Sequence, residues 1–153
     1  MKEKNILIIG ASGFIGNSLF GYLKKKKINV IGTYRKNKKK KYIKLDTKTS
    51  EINKKNFKKF THAIICLNSF KKLDDFEKNW KKAENLDLHY LSKFFLKLKK
   101  YKIVPIYFSS DAVFNGSKGN YKEHEKVNPI NKYGYIKAEM EKFIIKNFKN
   151  YMI

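Results

Sequence analysis

The sequence predicts an α/β fold, a doubly wound parallel sheet with helices on both faces. Three observations carry this. Short apolar runs alternate with longer amphipathic or polar stretches along the chain. A glycine loop joins the first such run to the first amphipathic stretch. A later apolar run ends in small polar residues, with a tyrosine and a lysine at helical spacing downstream. No internal repeat or flexible linker interrupts the pattern, and 153 residues at 42% hydrophobic fit one domain with a sizeable core.

Asn5 to Ile9 has the length of a buried strand and leads into Gly10-Ala-Ser-Gly13-Phe-Ile-Gly16; an amphipathic segment, Phe14 to about Lys27, follows as a helix. In that context Gly10 permits a tight turn, Gly13 lets the backbone approach a pyrophosphate, and Gly16 allows close helix–strand packing. Ser12, Phe14 and Ile15 complete the group expected around the phosphates, which would rest on free N–H groups at the helix start.

The second strand, Asn29 to Tyr34, ends at Arg35-Lys36, where a dinucleotide fold selects its cofactor. An acid there bonds the ribose hydroxyls of NAD; an arginine fits the extra phosphate of NADP through its planar fork. Arg35 is the only arginine among 36 basic residues, and with Lys36 it favours NADP(H) over NAD(H). Lys38 to Lys41 reads as a solvated loop, Tyr42 to Asp46 as a short third strand, and residues 47 to 60 as a polar, Lys-rich helix. Thr61 to Leu67 is the fourth strand, ending in Asn68-Ser69 at the cofactor-facing edge.

Residues 71 to 100 contain a long helix, with Leu86, Tyr90, Phe94 and Leu98 at helical spacing as a core stripe. The fifth strand, Ile103 to Phe108, stops at Ser109-Ser110-Asp111, the kind of edge where open α/β sheets place their chemistry. After the break at Asn128-Pro129 a helix opens in which Tyr133 and Lys137, four apart, share one face. A phenol and an ammonium would then meet beside a hydroxyl. The last residues, Asn150 to Ile153, read as the opening of another strand, so that the chain ends within it and leaves a sheet edge open to association.

The formal net charge of +23 raises nucleic acid as a partner. The lysines are scattered from Lys2 to Lys149 without a compact reading motif, so a compositional bias is the better reading and no dedicated nucleic-acid function is expected. Cys66, the single cysteine, excludes an internal disulfide and reads as a buried small hydrophobe. The three histidines have no ligand-type spacing, so no metal is expected. The N-terminus runs directly into a strand and no stretch is long enough to span a bilayer; neither a signal peptide nor a membrane is expected, and the cytoplasm is the expected compartment.

The order Ser109-Ser110-Asp111-x-Val113-Phe114-x-Gly116, Tyr121-x-Glu123, Asn128-Pro129, Tyr133-Gly134-x-x-Lys137 and Glu141 resembles the extended short-chain dehydrogenase/reductases, and within them most closely the dTDP-4-dehydrorhamnose reductases. The GxxGxxG spacing at the N-terminus resembles the same superfamily. The resemblance implies a Rossmann-type NAD(P)-binding domain over residues 1–153. Family members are about twice as long, and their second half supplies the sugar-nucleotide pocket. It implies reduction of a nucleotide-linked 4-keto-sugar, serving polysaccharide precursor synthesis, with Tyr133 as general acid, Lys137 assisting it and bonding the nicotinamide ribose, and Ser110 orienting the carbonyl. Asp111 is placed in the catalytic group by family position alone, Asp46 is placed against the adenine, and Asn85 stands where a helix asparagine supports the active site.

Departures from the family pattern are Ala112 for a tyrosine, Asn115 for an aspartate, and Cys66-Leu67-Asn68-Ser69-Phe70 where an alanine pair usually follows the asparagine. The expected partner is a nucleotide-sugar, with a homo-oligomer possible. Two other readings stay open: a non-catalytic NADP-binding module, since the family includes a regulatory subunit of methionine adenosyltransferase, and an epimerase or dehydratase of the same superfamily.

Overall fold

Alternation along the first strand sets both layers of the molecule. In β1 (Asn5–Ile9), Leu7 and Ile9 point to one face of the sheet while Ile6 and Ile8 point to the other, and all four are buried. A strand apolar on both faces needs cover on both, which is the signature of a parallel sheet between helical layers. The computed structural model describes residues 5–36, 40–49 and 57–153. Around β1 the described strands are β2 (Asn29–Tyr34), β3 (Tyr42–Lys44), β4 (His62–Ile65) and β5 (Val104–Tyr107), all parallel, in the order β3-β2-β1-β4-β5.

One face packs on α1 (Phe14–Lys25), whose Phe20 and Leu23 meet Ile6, Ile8, Val30 and Ile64. The other carries the larger core, in which Leu91, Phe94, Phe95 and Leu98 of α4 (Leu91–Lys100) and Met140 and Ile144 of α5 (Lys132–Asn147) close over Leu7, Ile9, Ala63 and Ile65. Phe57 and Phe60 join this core, with Phe57 edge-on to Phe94 at 6.1 Å between ring centroids. Of the helix expected over residues 47 to 60, positions 50–56 lie outside the described residues. So do Lys38 and Lys39 of the expected solvated run, whereas Lys41 caps the rings of Phe20 and Tyr42 at 5.3 Å.

The long helix expected within 71–100 runs from Trp80 to Lys100, with a short helix before it and a π-helical turn inside it. Helix α2 (Leu73–Lys78) breaks at Asn79, α3 (Trp80–Glu84) follows, and a π-helical turn (Asn85–Tyr90) leads into α4. The buried stripe also differs from the expected one in its first half. Phe94 and Leu98 are fully buried as expected, but upstream of them the buried positions are Ala83, Asp87 and Leu91, while Leu86 and Tyr90 are only half-buried.

Pro105 lies inside β5, on its outward side. The inward N–H of Val104 goes to Thr61 on the β4 side, whereas the outward carbonyl of Pro105 accepts from Met152 and the outward N–H of Tyr107 donates to the Met152 carbonyl. The expected strand opening at 150–153 is thus one parallel bridge, Ile106 to Met152. A proline tolerates only such an edge position, because its missing N–H then breaks no ladder bond. No helix among the described residues is long and apolar enough to cross a membrane.

Candidate functional site

The order of strands reverses between β1 and β4, and the crevice beyond their C-terminal ends is where a parallel sheet offers a ligand site. A cleft of about 320 Å³ opens there. Its floor is the loop after β1. Gly10 has φ +84°, and a Cβ on it would lie 2.5 Å from the Cys66 carbonyl oxygen, so only glycine lets β1 turn this close to β4. The buried Thr33 hydroxyl accepts the Gly10 N–H at 3.1 Å and fixes the turn from β2.

Gly13 caps α1 with no side-chain hydrogen bond, which leaves the first-turn N–H groups without acceptors. Gly16 packs against the Gly10 carbonyl, as close helix–strand packing requires. Ser12 and Gly13 line the cleft; Phe14, 91% exposed, and Ile15 point away from the core at the same helix start. Arg35 and Lys36 line the far end. Asn68 and Ser69 line the near end, as the expected fourth-strand edge requires.

Asp46 is placed differently from its neighbours. Leu45 and Thr47 line the cleft, whereas the Asp46 carboxylate accepts the Lys48 N–H at 3.0 Å within its own turn. Cys66 is half-buried on the cleft wall rather than enclosed in the core, and burial pushes its thiol up to about 11, leaving it neutral. Leu86 also lines the cleft, a correction to its reading as pure core. Asn85 is exposed at the start of that turn.

The second half of the site is built where α5 meets the end of β5. Ser110 caps a 3-10 turn (Asp111–Val113); its Oγ accepts the Ala112 N–H at 3.2 Å and donates to Asp111 Oδ1 at 3.1 Å. The start of α5 is pressed onto this turn so closely that a Cβ on Gly134 would lie 2.0 Å from the Ala112 carbonyl oxygen. Asn131 caps the helix through the Gly134 N–H at 2.7 Å. Tyr133 is thereby fixed beside the 3-10 turn, with its ring edge-on to Phe76 of α2 at 5.0 Å. Asn115 accepts from the Ser117 N–H and hydroxyl and from the Tyr121 hydroxyl, so this departure from the family pattern ties down its own loop.

Lys137, one turn after Tyr133, is 4% exposed. Its Nζ donates to the Phe108 carbonyl at 2.9 Å and lies 4.8 Å from the Tyr107 ring centroid and 5.5 Å from that of Tyr133. Burial lowers its pKa to about 8, against the opposing influence of Asp87, Cys66 and Glu141. Ser109 donates to the Glu141 carboxylate. Asp87 and Cys66 both line the cleft, so Lys137 joins the two halves of the site electrostatically.

Sequence reasoning missed Asp87. It is 8% exposed, its Oδ2 accepts the Ser69 N–H at 2.8 Å, and burial raises its pKa while the Ser69 N–H, Lys137 and Arg35 hold it down. The neighbouring Ser69 Oγ is buried and completes no hydrogen bond. The signal for Asp87 was an acid at four-residue spacing between Ala83 and Leu91, passed over for the neighbouring stripe through Leu86 and Tyr90. The residues present fit a dinucleotide: a cradle at Gly10 that a Cβ would fill, unpaired N–H groups at a helix start, and a guanidinium at the end of β2. Among the described residues no three His, Cys, Asp or Glu side chains are placed to hold a metal.

A family model described as RmlD substrate binding domain matches residues 4–153. The beta subunit of methionine adenosyltransferase 2 from Bos taurus is 25% identical over 148 residues, 96% of this chain and 44% of that protein. The crystal structure of a hypothetical dTDP-4-dehydrorhamnose reductase from Sulfolobus tokodaii is 30% identical with a TM-score of 0.77, covering 91% of this chain and 51% of its own. The dTDP-4-dehydrorhamnose reductase of Bacillus anthracis in complex with NADP is 22% identical with a TM-score of 0.77, covering 99% and 52%, and shows the shared fold. The chain spans about half the length of the relatives it matches.

Proposed function

We propose, from the premise that the chain belongs to the RmlD substrate binding domain family, that it is the cofactor-holding and proton-donating part of an NADPH-dependent reductase of a nucleotide-linked 4-keto-sugar, of the dTDP-4-dehydrorhamnose reductase kind. The observation that carries the reading is the buried Lys137 between Tyr133 and the cleft that runs from the Gly10 loop to Arg35. Residues 1–153 would form the NAD(P)-binding domain, with most sugar-binding residues supplied from outside this stretch.

The cofactor, when bound, supplies the hydride. The chain's own residues do the rest. First-turn N–H groups of α1 and the Gly10–Gly16 loop hold the pyrophosphate, and Arg35 with Lys36 takes the extra phosphate that distinguishes NADP. Lys137 donates to a hydroxyl of the nicotinamide ribose. Its positive charge also stabilises the negative charge left on Tyr133 once the proton has been given. Tyr133 gives that proton to the carbonyl oxygen of the substrate, and Ser110, released from Asp111, donates to the same oxygen as negative charge builds there.

The test is a fluorescence titration of the 153-residue chain with NADPH and NADH, before and after Arg35→Ser. Saturable binding that favours NADPH, with the preference falling about tenfold or more in the variant, supports the cofactor assignment. Equal binding of both cofactors by wild type removes it. Turnover of a 4-keto-sugar nucleotide, lowered about 10²–10⁴-fold in Tyr133→Phe with NADPH affinity kept, supports the proton path.

A second reading has its own support. The match to a methionine adenosyltransferase beta subunit over 96% of the chain favours a non-catalytic NADP-binding module. NADPH binding without turnover, in the presence of the remaining half of a reductase, would select it.

A further inference from the structure

The near wall of the cleft has few ties to the rest of the fold. Just past β4 the Cys66 N–H donates to the Ile9 carbonyl, and at the start of α2 the Asp75 N–H donates to the Lys72 carbonyl. Between them, residues 67–71 hold one hydrogen bond among the described residues, from the Ser69 N–H to Asp87 Oδ2 at 2.8 Å. Two apolar anchors flank it: Leu67 packs on the larger core, and Phe70 lies edge-on to Phe76 at 5.4 Å between ring centroids. Asn68 and Ser69, which line the cleft between these anchors, depend on the one bond.

Its acceptor is an uncommon one. Asp87 is 8% exposed, lies in the π-helical turn and lines the same cleft as Ser69. An acid between the buried Ala83 and Leu91 breaks an apolar stripe, and a sequence breaks its own pattern mostly where function asks for it. A buried carboxylate needs donors, and in return it holds an N–H more firmly than a neutral acceptor does. The Ser69 hydroxyl is buried beside it and completes no hydrogen bond, so the hold is on the backbone.

We infer that Asp87 is a positioning residue of the cleft: it pins Asn68 and Ser69 through the Ser69 N–H and so fixes the wall against which a ligand lies. That the ligand is a dinucleotide rests on the function proposed above; the pin does not. A wall fixed before the ligand arrives spares binding the cost of ordering it, so the bond acts on affinity without touching the ligand.

The experiment is amide hydrogen exchange of the cofactor-free chain, followed residue by residue by NMR. In wild type the Ser69 amide should exchange about tenfold or more slowly than those of Asn68 and Phe70, which have no acceptor among the described residues. In Asp87→Leu that protection should be lost while Ile64 and Ile65 of β4 keep theirs. It should persist in Asp87→Asn, whose side-chain oxygen still accepts, and in Ser69→Ala, which keeps the N–H. Equal exchange of the three amides in wild type, or unchanged protection in Asp87→Leu, overturns the pin; the wild-type comparison decides it should the leucine variant fail to fold. Loss of protection in Asp87→Asn or Ser69→Ala overturns it too, since the hold would then lie in the charge or the hydroxyl.

NADPH titrations of the same proteins separate the two proposals. If Ser69 is pinned and wild type binds no NADPH, the pin stands and the cofactor reading falls. If wild type binds, Asp87→Leu should lose about tenfold or more in affinity and Asp87→Asn about twofold or less. An Asp87→Leu chain that frees the Ser69 amide yet binds NADPH as wild type does would reduce Asp87 to a structural residue.

Discussion

Lys137 shows at the level of one side chain what burying a charge costs. Burial lowers its pKa from 10.5 to about 8. Below about 8 the folded and unfolded chains both hold the proton, and folding bears the full cost of a buried charge. Between about 8 and 10.5 the unfolded chain holds a proton that the folded one has released, so stability rises with pH across that window, by about 3 kcal/mol in all. Urea unfolding of wild type and Lys137→Met at about pH 7.5 and pH 11 should therefore show the difference between them moving in favour of wild type by that amount. A constant difference would mean that the lysine is hydrated after all. Tyr133, Lys137 and Ser110 were legible in the sequence because each depends only on local order: a strand end, a break, and a helix with i, i+4 spacing. Their electrostatic setting was not, because Asp87 reaches it from an irregular turn and Cys66 from just beyond the end of another strand.

Elements explain both what sequence reading recovered and what it missed. The strands β1 and β2 were placed with their observed bounds, since short apolar runs between glycine or polar breaks have few alternatives. Within 71–100 the long helix was legible, but the break at Asn79 and the widening at Asn85–Tyr90 were not, because the apolar spacing satisfies a straight helix. The joint between α5 and the 3-10 turn depends on Gly134 having no side chain. Gly134→Ala should cost about 1–3 kcal/mol of stability, as overpacking of a closed contact does. Under the proposed function it should also lower turnover more than NADPH affinity; parallel losses would show the joint to be merely structural. In the layer above the sheet, Phe94→Ala removes a fully buried ring and should cost about 3–5 kcal/mol in the same unfolding experiment.

For the whole molecule, the charge of +23 sets how it meets other polyanions. Retention on immobilised DNA at low salt is expected, and it should vanish near physiological ionic strength if the lysines act as a diffuse field and not as a reading surface. Retention that survives such salt would point to a built nucleic-acid site. The same charge works together with the proline in β5. Along the outward side of that strand the Ile103 N–H is taken by Leu98, Pro105 has none, and the Tyr107 N–H is taken by Met152. A foreign strand arriving there finds no row of donors to template on, and the strong positive field repels another copy as it approaches. Pro105 thus withholds a donor on the side of β5 away from the β4 ladder. Pro105→Val would restore the donor without disturbing the β4 ladder, and the variant should nucleate thioflavin-binding fibrils sooner than wild type on shaking at high salt.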